Sequence, residues 1–221
     1  MIVRNIMTTG HNWLEVDSTA IDADALAYDL EIFHLPVTNE GQFIGILHLD
    51  AITNQDIEEG KPIAESLDEL EKFSISEQSF IFETLKFFKE FNLSAIPVVN
   101  ESGLLSGLLT AQDVINYLST TTSISNPGSF ITLRLKTNDY NLQEISRIVE
   151  SNNAQILSLH FEPVAAADEL HCTIKINQKD LKHIIATFER FDYQLLAHSS
   201  ATDSDDELKD RYDLLMKYLN I

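Results

Sequence analysis

The chain is poor in cysteine, in basic residues and in long apolar runs, and each shortage removes a class of protein. Cys172 is the single thiol in 221 residues, so no internal disulfide forms, which fits a reducing compartment. No apolar stretch approaches the roughly 18 residues of a membrane span. The opening MIVRNIMTTGHNW lacks the apolar core and cleavage site of a signal peptide. The expectation is a cytoplasmic protein without a membrane partner. Lys and Arg number 15 against 35 Asp and Glu, a formal charge of -20 at pH 7, which argues against duplex nucleic acid and anionic lipid surfaces as partners. HExxH, paired Cys-His spacings, GxSxG, the Walker loop and GxGxxG are all missing. No nucleophile, metal or phosphate cradle therefore points to an enzyme.

What is present is enough for a folded core: 44% of residues are apolar. The acidity is uneven. Residues 1–118 hold 20 acids and five bases, whereas residues 119–200 hold nine and seven. At that shift stands STTTSISNPGS, whose Asn-Pro-Gly reads as a linker, 119–128, between two units.

The first unit repeats itself. Leu35-Pro36-Val37 aligns with Ile96-Pro97-Val98, Asn39-Glu40-Gly41 with Asn100-Glu101-Ser102-Gly103, and Phe43-Ile44-Gly45-Ile46-Leu47 with Leu105-Ser106-Gly107-Leu108-Leu109, a period of about 61 or 62 residues. Each copy, about 1–58 and 59–118, reads as a helix, a short strand, a turn, a second strand and a helix. The first helix of copy one spans roughly Ala23 to Phe33 after the cap-rich DSTAIDAD; its counterpart is EQSFIFETLKFFKEF, 77–91. The apolar residues of that second helix cover more than one face, which suits a core helix or one that also forms a subunit interface.

The stretch GLLTAQD, 107–113, has two readings. Thr110 and Asp113 form a capping box with Asp in place of Glu. They also set a hydroxyl and a carboxylate at the positive end of a helix dipole, where phosphate and a ribose diol are favoured. In copy one the aligned segment is GILHLDA, 45–51, expected to start a helix with His48 at the hydroxyl position and Ala51 at the carboxylate position. Asp50 comes one residue early, a rotation of about 100° on a helix, and does not replace the missing carboxylate.

Tandem β-α-β-β-α copies with an Ile-Pro-Val-Val run and a G-h-h-T-x-x-D ending resemble the cystathionine β-synthase (CBS) domain pair, or Bateman module, over about 1–118. The resemblance implies an adenine nucleotide such as AMP, ADP or ATP, or a nucleoside, bound between the copies. Its contacts fall on Thr110 and Asp113, beside Ile96 and Pro97. Copy one's site is expected to be dead or specialised.

Residues 129–200 give another order: SFITLRLK, a helix NLQEISRIVESNN, AQILSLHF, ELHCTIKI, a helix QKDLKHIIATFERF and YQLLAHS. That βαββαβ series is a ferredoxin-like α+β arrangement, with Leu142, Ile145, Ile148 and Val149 on one helix face and Leu181, Ile184, Ile185 and Phe188 on the other. It resembles an ACT domain, a regulatory module that often binds amino acids at a dimer interface. The family's glycine before the first helix falls near Tyr140, so this unit is expected to be structural or dimer-forming. The whole layout is similar to the AcuB acetoin-utilisation family.

Two further features stand apart. A hairpin of 154–161 and 169–176 centred between Ala165 and Ala166 sets His160 opposite His171, half of a metal site. The tail, 201–221, has Ser204 three residues before Glu207 and Leu208, Tyr212, Leu215 and Leu219 at helical spacing, an amphipathic helix. Taken together, the sequence favours a non-catalytic, acidic, homodimeric sensor of an adenine ligand with a possible protein partner. The alternative is an interaction protein with decayed sites.

Overall fold

Three of the helices in the repeat begin where a Thr-x-x-Asp box satisfies the free amides of the first turn. The structure is a computed structural model that describes residues 1–64, 67, 70–165 and 168–199. The chain divides into two compact units, Met1–Leu118 and one from Ser119 onward. The amphipathic helix expected over 201–221 lies outside the described residues.

In the first unit, copy one comprises β1 (Leu14–Glu15), α1 (Ala20–Leu30), β2 (His34–Asn39), β3 (Gln42–His48) and α2 (Asn54–Glu59). Copy two comprises β4 (Ile75–Ser76), α3 (Ile81–Glu90), β5 (Ala95–Val99), β6 (Leu105–Thr110) and α4 (Ala111–Thr120). Each copy has a three-stranded sheet in which the first strand is parallel to the second and the second antiparallel to the third. The registers repeat as the sequence does: Leu35 pairs with Leu47 and Ile96 with Leu109, Val37 with Gly45 and Val98 with Gly107. Glu40 and Gly41 close the β2–β3 hairpin with φ of 51° and 79°. Positive φ at both central residues is what a two-residue hairpin turn needs.

The two copies exchange material. The segment before copy one lies on copy two, where Thr8 pairs with Leu108 through amide-to-carbonyl bonds of 2.8 and 2.9 Å. The segment before copy two lies on copy one, where Glu71 pairs with Ile46 at 2.8 and 3.2 Å. The cores interleave likewise, with Leu108 inside the cluster of Leu35, Val37 and Leu47, and Ile46 inside that of Ile96, Val98 and Leu109. Glycine permits both crossings. A Cβ at Gly107 would collide with the Thr8 carbonyl, and one at Gly45 would sit 2.6 Å from the Leu70 Cβ.

One expectation needs correction here. GILHLDA does not begin an α-helix: Leu49–Ala51 is a single 3-10 turn without a side-chain cap, and α2 starts later, at Thr53 and Asp56, which form their own capping box. The helix waits for a residue able to cap it. The apolar α3 is buried at Ile81 and Thr84 only, while Phe82 is 66% exposed and Leu85, Phe80 and Phe91 also face outward. The core-helix account fits one side of it.

In the second unit, α5 (Thr122–Ser125) occupies part of the run expected as a linker, and its Ile124 carbonyl accepts a 2.8 Å bond from the buried Lys175 ammonium. Then follow β7 (Ser129–Lys136), α6 (Leu142–Ser151), β8 (Ile156–Pro163), β9 (Glu169–Ile176), α7 (Lys182–Arg190) and β10 (Gln194–Ser199). The sheet order is β10-β7-β9-β8, all antiparallel, so the two middle strands are the first and third of the βαββαβ series. Ile145, Ile148, Val149, Ile184 and Phe188 pack on Ile131, Leu133, Cys172 and Ile174. Burial pushes the Cys172 thiol up to about 11, which leaves it protonated and unreactive at neutral pH.

The β8–β9 register differs from the expected one by two residues. His160 pairs with Thr173 and His171 with Glu162, so the histidines are not opposed. PVAAADE contains no turn-specifying Gly or Asn to fix the hairpin's centre. Among the described residues no group of three His, Cys, Asp or Glu is placed to hold a metal, and no helix is long and apolar enough to cross a membrane.

Candidate functional site

Two equivalent places in the repeat pair gather polar groups, one at the end of each copy's last strand. In copy two, Thr110 closes β6 and Asp113 stands in the first turn of α4. The Asp113 amide donates to Thr110 Oγ1 at 3.0 Å, and the Thr110 amide and hydroxyl donate to Asp113 Oδ2 at 2.9 and 2.7 Å. That is a complete capping box. Thr19–Asp22 and Thr53–Asp56 make the same box at α1 and α2; the Thr19 bonds hold the Asp22 carboxyl below its usual range, and the Lys61 ammonium followed by the Thr53 bonds does so at Asp56. Capping alone therefore accounts for a T-x-x-D at a helix start in this chain.

What separates Asp113 from those two is a partner from a distant part of the chain, where Asp56 has only the nearby Lys61. The Thr8 hydroxyl lies 3.2 Å from both carboxylate oxygens of Asp113, delivered by the crossing segment that pairs with Leu108. Ile96 and Pro97 lie one strand away, with Ile96 opposite Leu109 and Pro97 opposite Leu108. Both residues are buried. Thr8 was not legible as a site residue, because nothing local marks a partner 105 positions away.

In copy one the corresponding positions carry different chemistry. His48 stands where copy two has Thr110, His34 pairs with it where Ala95 pairs with Thr110, and Glu71 arrives on the crossing segment as Thr8 does. The two imidazoles meet edge to face at 4.6 Å. His48 Nε2 lies 3.6 Å from Glu71 Oε1 and is buried without a hydrogen-bond partner among the described residues. Ser94 of copy two ties into the cluster: its hydroxyl oxygen accepts the Phe33 and His34 amides at 2.9 and 3.2 Å, and its own amide donates to His34 Nδ1 at 2.9 Å. Beside these groups lies a cleft of about 710 Å³, bordered by Phe33, Phe91 and Asp50 as well as the two histidines, with no Lys or Arg in its lining among the described residues.

The CBS domain family matches residues 66–120. A homoserine O-acetyltransferase of Methanococcus vannielii is 31% identical over 130 residues, 53% of this chain and 25% of that protein. The match thus spans about a quarter of the length of the curated relatives. A CBS domain pair/ACT domain protein of Thermotoga maritima is 22% identical, with a TM-score of 0.47 over 53% of this chain and 96% of its own. CBSX2, solved in complex with AMP, is 19% identical, with a TM-score of 0.44 over 53% of this chain and 95% of its own.

Proposed function

We propose that the repeat pair is a sensor. An adenine nucleotide or nucleoside binds the copy-two half-site and biases the geometry of a homodimer, and the ACT-like unit, 129–200, or a partner protein reads the change. The observation that carries this reading is the Asp113 carboxylate, which stands in the first turn of a ten-residue helix with the Thr8 and Thr110 hydroxyls on it. A ribose diol can donate to that carboxylate in place of the hydroxyls, and helix N-termini favour phosphate. The CBS match over residues 66–120 supports it. Five bases against 20 acids in residues 1–118 favour AMP, ADP or a nucleoside over a bare triphosphate. The role is regulatory and cytoplasmic, without a reaction of its own, and relay requires that the ligand bind the two geometries unequally.

Thermal unfolding of the full chain with adenosine, AMP, ADP and ATP tests the reading. A ligand at a hundredfold excess over its Kd adds about 2.7 kcal/mol of stability, and Asp113→Ala should remove that gain. Asp56→Ala deletes the same kind of cap elsewhere and should leave it intact. The second reading, a ligand-free interaction protein, draws on the fact that Thr8 and Thr110 already satisfy Asp113. It gains if every adenine compound leaves the folded protein's melting temperature unchanged.

A further inference from the structure

The His34–Ser94 junction joins the two copies by hydrogen bonds that depend on a neutral ring. His34 opens β2 in copy one and Ser94 immediately precedes β5 in copy two. The Ser94 amide can only donate, so His34 Nδ1 accepts it, and the ring is the neutral tautomer with its proton on Nε2. The Ser94 hydroxyl oxygen, 2.8 Å from the same nitrogen, already accepts the Phe33 and His34 amides. Its own hydrogen therefore points at Nδ1 as well. A proton placed on Nδ1 would face two donors, and the junction has no arrangement that keeps all four bonds.

We propose that this junction is a proton-sensitive latch: protonation of His34 breaks the Ser94 amide bond and loosens copy two's β5 from copy one's β2. The groups facing the ring are His48 from β3, Asp50 from the 3-10 turn after it and Glu71 from the crossing segment. Burial and the His48 ring hold His34 below its ordinary range, against the opposing pull of Glu71 and Asp50. The latch is therefore closed at neutral pH and opens on acidification below the ordinary histidine range of about 6.5. Copy two has Ala95 at the aligned position, so acid acts at one of the two equivalent places. This inference stands on the fold of the repeat pair and needs no ligand in the copy-two half-site.

Hydrogen exchange of the Ser94 amide in the ligand-free full chain tests it. Rates measured between about pH 5 and 7.5, in the range where histidine titrates, are divided by the intrinsic exchange rate at each pH. Wild type should lose protection at Ser94 on acidification by roughly tenfold, the factor that one pKa unit represents. His34→Gln should show protection that does not vary with pH. Undiminished protection of wild type at the acidic end overturns the proposal, as does an acid loss that persists in His34→Gln. Should His34→Gln not fold, the NMR titration of the His34 ring in His48→Ala decides. The acid loss of Ser94 protection in that variant should follow the ring's midpoint, and a loss that does not track it overturns the latch. A failure of adenine binding leaves all of these outcomes unchanged.

Discussion

Set side by side, the two copies of the repeat share their frame and differ in what the frame holds. Both have the proline opposite an apolar residue of the last strand, Pro36 with Ile46 and Pro97 with Leu108. Both use a glycine to let the other copy's leading segment cross. At the meeting point of those elements copy two places Thr8, Thr110 and Asp113, hydroxyls around one carboxylate. Copy one places His34, His48 and Glu71, two imidazoles near a carboxylate. The difference teaches that backbone pairing and interleaved cores fix where a cluster forms, while its chemistry is set by a few side chains that the frame does not use.

The comparison breaks most severely if the shared frame is damaged. Ile46→Ala and Leu108→Ala each empty a position with no exposure, and each should cost about 2–5 kcal/mol in urea unfolding. Because each residue packs in the opposite copy's core, either change should lower the stability of the whole first unit and not of one copy.

Asp113→Ala comes next, with a loss of about 1 kcal/mol as a cap together with loss of any adenine response. Calorimetry with AMP separates the two effects. The acid response of copy one is smaller and has a definite sign. The folded state holds His34 below its ordinary value, so the unfolded chain binds the extra proton first. The stability linked to this group is complete above about pH 6.5 and is lost as pH falls through the lowered folded value. Urea midpoints of wild type and His34→Gln measured across that window should converge at its acidic end.

The smallest effect is expected from Ala51→Asp, which restores the aligned carboxylate to copy one. Ala51 is exposed and sits in a 3-10 turn, so stability should change by no more than about 0.5 kcal/mol. No second nucleotide should bind in native mass spectrometry, since α2 begins only at Asn54.

Much of this was legible in the sequence, and the illegible parts have physical reasons. The repeat, the strands around Ile-Pro-Val and the βαββαβ order followed from periodicity, which is a local property of the chain. The late start of α2 was also written locally, in Thr53-x-x-Asp56, but alignment to GLLTAQD drew attention to the wrong turn. The β8–β9 register slipped because alanines leave a turn's centre unspecified, and a shift of two keeps the same faces inward. Thr8 and Glu71 stayed hidden because each meets its partner through a crossing that no periodicity encodes, and Ser94 because its partner His34 stands 60 residues away in the other copy.

The crossing segments have one more consequence. A fragment ending after copy one keeps β3 but loses Leu108 from its core, and a fragment holding copy two alone loses Thr8 from the edge of β6, leaving the Leu108 amide and carbonyl unpaired. Neither half is a finished object. Cut between the copies, the first unit should behave as two complementary pieces that regain structure on mixing, and an unmated piece would present an open strand edge to any neighbour able to pair with it.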